Sequence, residues 1–254
     1  MIDTHCHVNF DDYADDREDV IKRAKDKLDA ILVSGTDCES NEHVLKLAKE
    51  HKGFIYPTFG FHPVSSQESS DGEIKEAQQQ ILNNLDNIVA IGEVGTDYFY
   101  VKDKALRERQ KKIFKSFIDI ANDYKVPLLM HVRDSERKAF NLLEDYDNIP
   151  YCIFHCFSGS MKTARRIIEK DNYYMGFSTM LAYSPRHQEL IKEIPLDSVL
   201  TETDSPYLAM TKEERNEPAN VSIALQKIAE IKNLDVDTVD EVTTNNAKKV
   251  FNIK

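Results

Sequence analysis

The chain has 254 residues, 41% of them hydrophobic, and a formal net charge of -11 with a pI near 5.2. That acidity excludes a broad nucleic-acid-coating surface, which needs Lys and Arg in excess; it does not exclude a small site where metal ions supply positive charge locally. No apolar run reaches the roughly 18 residues of a membrane span and no basic-then-apolar leader opens the chain, so neither a membrane-bound nor a secreted protein is expected.

No low-complexity segment or Pro/Gly-rich linker divides the sequence, and residues 1–254 are read as one domain. The four cysteines (Cys6, Cys38, Cys152, Cys156) show no CxxC spacing, which points to free thiols in a reducing cytoplasm. The chain opens on a short apolar run, 1–7, that carries His5 and His7. Side chains alternate faces along extended backbone, so the two imidazoles point the same way and can grip one divalent cation. Cys6 has the opposite parity and, like Cys156 beside His155, is read as a small core residue and not a thiolate ligand.

Apolar runs of the same kind recur at 28–35, 54–60, 88–95, 126–132, 151–157, 173–178 and 199–204. They are rich in Val, Ile, Phe and Tyr and mostly lack polar alternation, as strands buried on both faces do. An acidic stretch, 11–19, opens the first helix, with Asp12 or Asp15 suited to its N-terminus. Between later strands, apolar residues fall three and four apart, most clearly Leu106, Ile113, Phe114, Phe117, Ile118 and Ala121 within 102–124. Pro127, Pro150 and Pro195 fall where helices should already have stopped. Eight strands alternating with helices, at about 32 residues per unit, predict a (β/α)8 TIM barrel. A doubly wound open sheet is the competitor, but no GxGxxG follows the first strand.

In such a barrel, chemistry collects at the C-terminal ends of the strands. Those ends carry His5 and His7, then His62 in Gly60-Phe61-His62-Pro63, Glu93 in Gly92-Glu93-Val94-Gly95, His131, His155 and Asp204. Five of the eight histidines lie there, while His43, His51 and His187 fall on helices or loops. A carboxylate buried without a partner costs several kcal/mol, so Glu93 and Asp204 need cations, and the histidines cannot all be charged together. A metal centre resolves both demands. Four histidines and two carboxylates exceed the needs of one tetrahedral zinc and suit two divalent ions about 3.5–4 Å apart, as in phosphate-ester hydrolysis. Glu93 is assigned as the bridge, and Asp204 as a ligand that also accepts a proton from the attacking water. Arg133, two residues past His131, either holds a phosphate oxygen or makes a salt bridge on the rim.

The motifs that carry these residues resemble the TatD-like deoxyribonuclease family: His5-x-His7, Gly-Phe-His62-Pro, Gly-Glu93-Val-Gly-x-Asp97-Tyr98, His131-x-Arg133-Asp134, His155-Cys-Phe-Ser-Gly and Glu202-Thr-Asp204-Ser-Pro. Asn216-Glu217-Pro218 and Asn246-Ala247-x-x-x-Phe251 extend the likeness to the C-terminus. The resemblance implies an amidohydrolase-like TIM barrel with a divalent metal centre that hydrolyses DNA, often exonucleolytically on single strands. By position it implies His5, His7, Glu93, His131, His155 and Asp204 as ligands, and His62 as a cleft residue near substrate. Glu202 either supports a ligand or forms a buried structural pair. The sequence departs from the family at Thr96, where many members carry Leu, and in the loop 209–215, which is shortened and leaves the role of Arg215 open.

Tyr98, Phe99 and Tyr100 either stack on unpaired bases or cover the rim of the barrel. Mg or Mn would suit phosphate oxygens, whereas four imidazoles favour Zn. The expected protein is therefore a cytoplasmic, monomeric, metal-dependent deoxyribonuclease with DNA as its substrate. The rival readings are an amidase, lactonase or other phosphoester hydrolase on the same barrel, in which a modified Lys often replaces a bridging Glu, and a non-catalytic metal-bound scaffold.

Overall fold

The structure is a computed structural model that describes residues 1–211 and 213–253; Lys212, within the shortened stretch 209–215, and Lys254 lie outside the described residues. Each apolar run marks a strand, two of which overrun it by one or two residues: β1 (Ile2–Cys6), β2 (Ala30–Ser34), β3 (Ile55–Phe59), β4 (Ala90–Asp97), β5 (Leu128–Arg133), β6 (Cys152–Phe154), β7 (Tyr173–Phe177) and β8 (Val199–Thr201). All neighbours pair in parallel, in the order β1 to β8. The sheet closes where Cys6 bridges Ser205: His7 N–H donates to the Ser205 carbonyl at 2.7 Å and Asp204 N–H to the His5 carbonyl at 2.9 Å. The result is the (β/α)8 barrel and not the open sheet.

Helices α1 (Arg17–Lys25), α2 (Cys38–Glu50), α3 (Asp71–Asn83), α4 (Lys104–Tyr124), α5 (Glu136–Leu143), α6 (Met161–Ile168), α7 (Pro185–Glu193) and α8 (Val221–Lys232) surround the strands. The periodic stretch 102–124 is α4, started by Asp103, whose carboxylate accepts from Ala105 and Leu106 N–H. The acidic stretch 11–19 behaves differently from expectation. Asp11–Tyr13 forms a separate 3-10 turn, and α1 begins only after Asp16, so neither Asp12 nor Asp15 sits at its N-cap. Tyr13 is fully buried there and its hydroxyl donates to the Asn216 carbonyl at 2.6 Å, which holds the turn away from the helix.

Inside the cylinder, Ile2, Leu32, Leu129, Ile153, Tyr174 and Leu200 form one apolar cluster that also takes in Val250 and Phe251 of α9 (Val236–Phe251). The last helix therefore stoppers the end where the strands begin. The opposite mouth, at the strand C-termini, is left for polar side chains. β6 and β8 are shorter than the apolar runs that predict them, because the backbone turns out of the ladder soon after each, with Cys156 at φ 46° and Asp204 at φ 56°. Those turns hang His155 and Asp204 over the mouth.

All four cysteines are free, and no described helix is long and apolar enough to cross a membrane. Removing the Phe251 ring from the stopper by Phe251→Ala should cost about 3–5 kcal/mol in denaturant unfolding; a change under 1 kcal/mol would show that the helix is not part of the core. His187 gives a second handle. It is buried in α7, bonded to Ser158 Oγ at 2.9 Å and Ser184 Oγ at 2.7 Å, and burial with nearby Arg186 lowers its pKa to about 4. Because an unfolded chain takes that proton near pH 6.5, the stability His187 confers is complete above 6.5 and is lost as pH falls toward 4. Relative to His187→Asn, the native chain should lose up to about 3 kcal/mol across that window; parallel pH–stability curves would contradict the assignment.

Candidate metal centre

β1 is irregular between Asp3 and Cys6, where its pairing with β2 slips, and this turns His5 and His7 together into the mouth. Their Nε2 atoms lie 3.1 Å apart. His7 Nδ1 faces the Ser34 carbonyl at 3.0 Å, an atom that can only accept. The His7 proton therefore sits on Nδ1 and the Nε2 lone pair points inward. His5 Nδ1 is held by Ser34 Oγ at 3.0 Å, and that hydroxyl is in turn fixed by Thr58 Oγ1 at 2.9 Å.

Glu93 stands at the hub. It lies in a second irregular stretch, between Ile91 and Val94 of β4, and its side chain is almost wholly buried. A side chain at Gly60 would collide with the Glu93 backbone, so the end of β3 must be glycine for the strand to sit this close. Glu93 Oε2 lies 3.4 Å from His7 Nε2 and 3.6 Å from His5 Nε2. Its Oε1 lies 2.7 Å from His131 Nδ1 and 3.1 Å from His155 Nε2. One carboxylate thus faces two donor groups, one through each oxygen. Asp204 Oδ1 joins the His5–His7 group, 3.4 Å from His5 Nε2. Donor atoms in each of the triads His5–His7–Glu93, His5–His155–Asp204 and His62–Glu93–His131 lie within 4.8 Å of one another.

His7, Glu93 and Asp204 are in the protonation states that binding a cation needs. Burial, reinforced by His5, lowers the His7 pKa to about 4, and burial with His131 lowers that of His62 to about 3. Burial works against the charge on Glu93, but His62, His155 and His5 together outweigh it and hold the carboxyl well below its usual range. Asp204 is depressed in the same way, burial being outweighed by His5, His155 and His7 together. His131 and His155 move upward because neighbouring carboxylates overcome the burial that opposes their charge, Asp97 and Glu93 for the first and Glu93 and Glu202 for the second. Ionised Glu93 and Asp204 and the inward lone pair of His7 form a donor set that fits divalent metal, and a bound cation would displace the protons that His131 and His155 hold without it.

His62 is near enough to Glu93 Oε1, at 3.6 Å, to count as a donor, yet its tautomer argues otherwise. Its Nδ1 accepts from Val64 N–H at 3.2 Å, so the neutral ring carries its proton on Nε2 and offers the centre an N–H. Geometry alone admits His62 as a ligand; the hydrogen bond favours a donor facing the cleft. Arg133 also reaches the cleft, an opening of about 690 Å³ shared with His7, Glu93, His131 and Asp204. Its guanidinium lies 3.9 Å over the Phe99 ring and makes no ion pair with a described carboxylate, which disfavours the rim salt bridge.

Other expectations divide. Tyr98 is buried beneath Arg107 and Lys138, so it covers the rim, while Tyr100 is exposed on the cleft. Cys6 lies in the core and donates to the Leu32 carbonyl at 3.3 Å; Cys156 Sγ lies 3.8 Å from Ser178 Oγ, outside the donor groups. Arg215 is pinned away from the cleft by the Asp12 carbonyl and by Asp16 Oδ2 at 2.6 Å. Glu202 is fully buried with Oε1 3.7 Å from His155 Nδ1, and it accepts from Cys156 N–H, so it both supports a donor and pins the turn. A side chain at Gly176 would occupy its place.

Asp97 is the functional residue that sequence reasoning passed over. Its Oδ2 meets His131 Nε2 at 3.0 Å and fixes that ring so that Nδ1 faces Glu93. Its place in the same motif as Glu93, just past the end of the same apolar run, is the signal the sequence carries.

Residues 2–252 match the family model described as TatD related DNase. The chain belongs to that family. An uncharacterised metal-dependent hydrolase of Methanocaldococcus jannaschii is 36% identical over 250 residues, covering 98% of this chain and 96% of its own length. A protein named 3'-5' ssDNA/RNA exonuclease TatD, from Shigella flexneri, is 30% identical, covering 100% of this chain and 99% of its own. The crystal structure of YjjV, a TatD homologue from Escherichia coli, superposes with a TM-score of 0.92 at 29% identity, covering 100% of this chain and 98% of the other.

If Asp97 orients His131 as described, Asp97→Asn should weaken divalent-metal affinity ten- to a hundredfold in a competition titration with a chromogenic chelator. Unchanged affinity would mean that His131 needs no such anchor or does not ligate.

Proposed function

We propose that this chain is a divalent-metal-dependent phosphodiesterase that hydrolyses DNA, working on single strands or ends. The observation that carries the reading is Glu93, a single buried carboxylate with one oxygen toward His5 and His7 and the other toward His131 and His155. That arrangement supports a centre of two divalent ions, in which Glu93 would serve both and His5, His7, His131, His155 and Asp204 would supply the remaining ligands; Mg, Mn or Zn would fit. Divalent ions held there would neutralise charge on a phosphate and make a water more acidic.

The chain's own residues divide the remaining work. Asp204, the ligand carboxylate that reaches the cleft most openly, accepts the proton of the attacking water. Arg133 donates to a phosphate oxygen with a guanidinium already packed over Phe99. His62 presents Nε2–H to the same space and hydrogen-bonds the substrate. The names of the relatives support nucleic acid as the substrate. Every donor comes from one chain, so a monomer suffices, and four free thiols suit the cytoplasm.

The test uses a short end-labelled single-stranded oligonucleotide with manganese restored after chelation. Asp204→Asn should cut kcat by about 10²–10⁴ while the melting temperature of the chelated protein barely moves. An Asp204→Asn protein that cleaves at the native rate would refute the assignment.

A further inference from the structure

Large apolar side chains are left exposed at eight described positions, and five of them (Phe99, Tyr100, Tyr183, Tyr207 and Met210) sit on loops at the mouth of the barrel. Two of these, Tyr100 at 65% and Tyr207 at 54% exposure, line the cleft itself. They follow β4 and β8, which are half a turn apart in the closed strand order, so they stand on opposite lips. Each is tied by its backbone to the donor cluster. Tyr100 N–H donates to Asp97 Oδ1 at 2.7 Å, the carboxylate that also holds His131, and Tyr207 N–H donates to the Asp204 carbonyl at 3.0 Å. Each ring is also backed by a partner: Arg133 lies 5.2 Å from the Tyr100 ring, and Phe10, stacked on His7 at 4.5 Å, meets Tyr207 edge-on at 6.5 Å.

Charge says what such a cleft can hold. Among its described lining residues Arg133 is the one ammonium or guanidinium group, in a chain of net charge -11. Gripping a duplex through its phosphates needs many such groups, and a paired base offers no free face. Aromatic rings exposed beside a phosphate-sized polar centre suit bases that are already unpaired.

We propose that Tyr100 and Tyr207 are paired stacking platforms that seat the two unpaired bases flanking the phosphate at the donor cluster; this rests on the phosphodiesterase reading above. Binding then comes from base faces and one phosphate contact. It selects single strands over duplex, tolerates base sequence, and depends on salt with a slope near one phosphate.

The experiment compares wild type, Tyr100→Ala, Tyr207→Ala, both Tyr→Phe variants and Tyr124→Ala, an exposed control at the far end of α4, all manganese-loaded. On a single-stranded oligonucleotide each Tyr→Ala change should raise KM about tenfold with kcat within about threefold, while Tyr→Phe and Tyr124→Ala match wild type. On an oligomer of base-free spacers with the same phosphates, the Ala variants and wild type should be equal. A KM unmoved by both Ala variants, or an equal penalty on the base-free oligomer, overturns the proposal. If wild type cleaves no phosphodiester, the phosphodiesterase reading fails by itself, and binding of a strand carrying 2-aminopurine decides the platforms separately. Quenching that both Ala variants lessen supports them; quenching they leave intact, or no binding, overturns them.

Discussion

The constraint on which this structure turns is the burial of Glu93. An ionised carboxylate in a closed barrel costs several kcal/mol unless cations or hydrogen bonds surround it. Here five imidazole nitrogens, one each from His5, His7, His62, His131 and His155, surround it at 2.7–3.6 Å, and protonating them all would replace one uncompensated charge with several like charges at contact. Divalent metal satisfies the carboxylate and the lone pairs at once.

The same bonds that close the cylinder also aim the ligands. β8 joins β1 through the Asp204 N–H to His5 carbonyl and the His7 N–H to Ser205 carbonyl, so three donors are fixed by the seam itself. Below them Asp3 is wholly buried, its carboxyl pushed up by burial, and it accepts from the Thr203 N–H at 2.9 Å and Oγ1 at 2.6 Å. Slack at this seam would misplace His5, His7 and Asp204 together. α9 matters for the same reason, since it fills the opposite end and lets the barrel carry a polar cluster at one mouth only.

Much of this was legible in the sequence because a strand buried on both faces leaves a continuous apolar run, and a polar residue ending such a run is conspicuous. His131 and His155 are visible in that way. Other features depend on contacts between distant segments and leave no local trace. The tautomer of His62 is set by the Val64 N–H, the orientation of His131 by Asp97, and the capture of Arg215 by the 3-10 turn near Asp12. The slips in β1 and β4 that re-aim His5 and Glu93 are equally hidden, since strict alternation would place Glu93 on the opposite face from the inward Ala90.

The most direct measurement is anomalous diffraction at the manganese edge from crystals grown with that ion. Two peaks about 3.5–4 Å apart are expected with Glu93 between them, one near His5 and His7 and the other near His131. No peak within ligand distance of Glu93 would contradict the proposed centre.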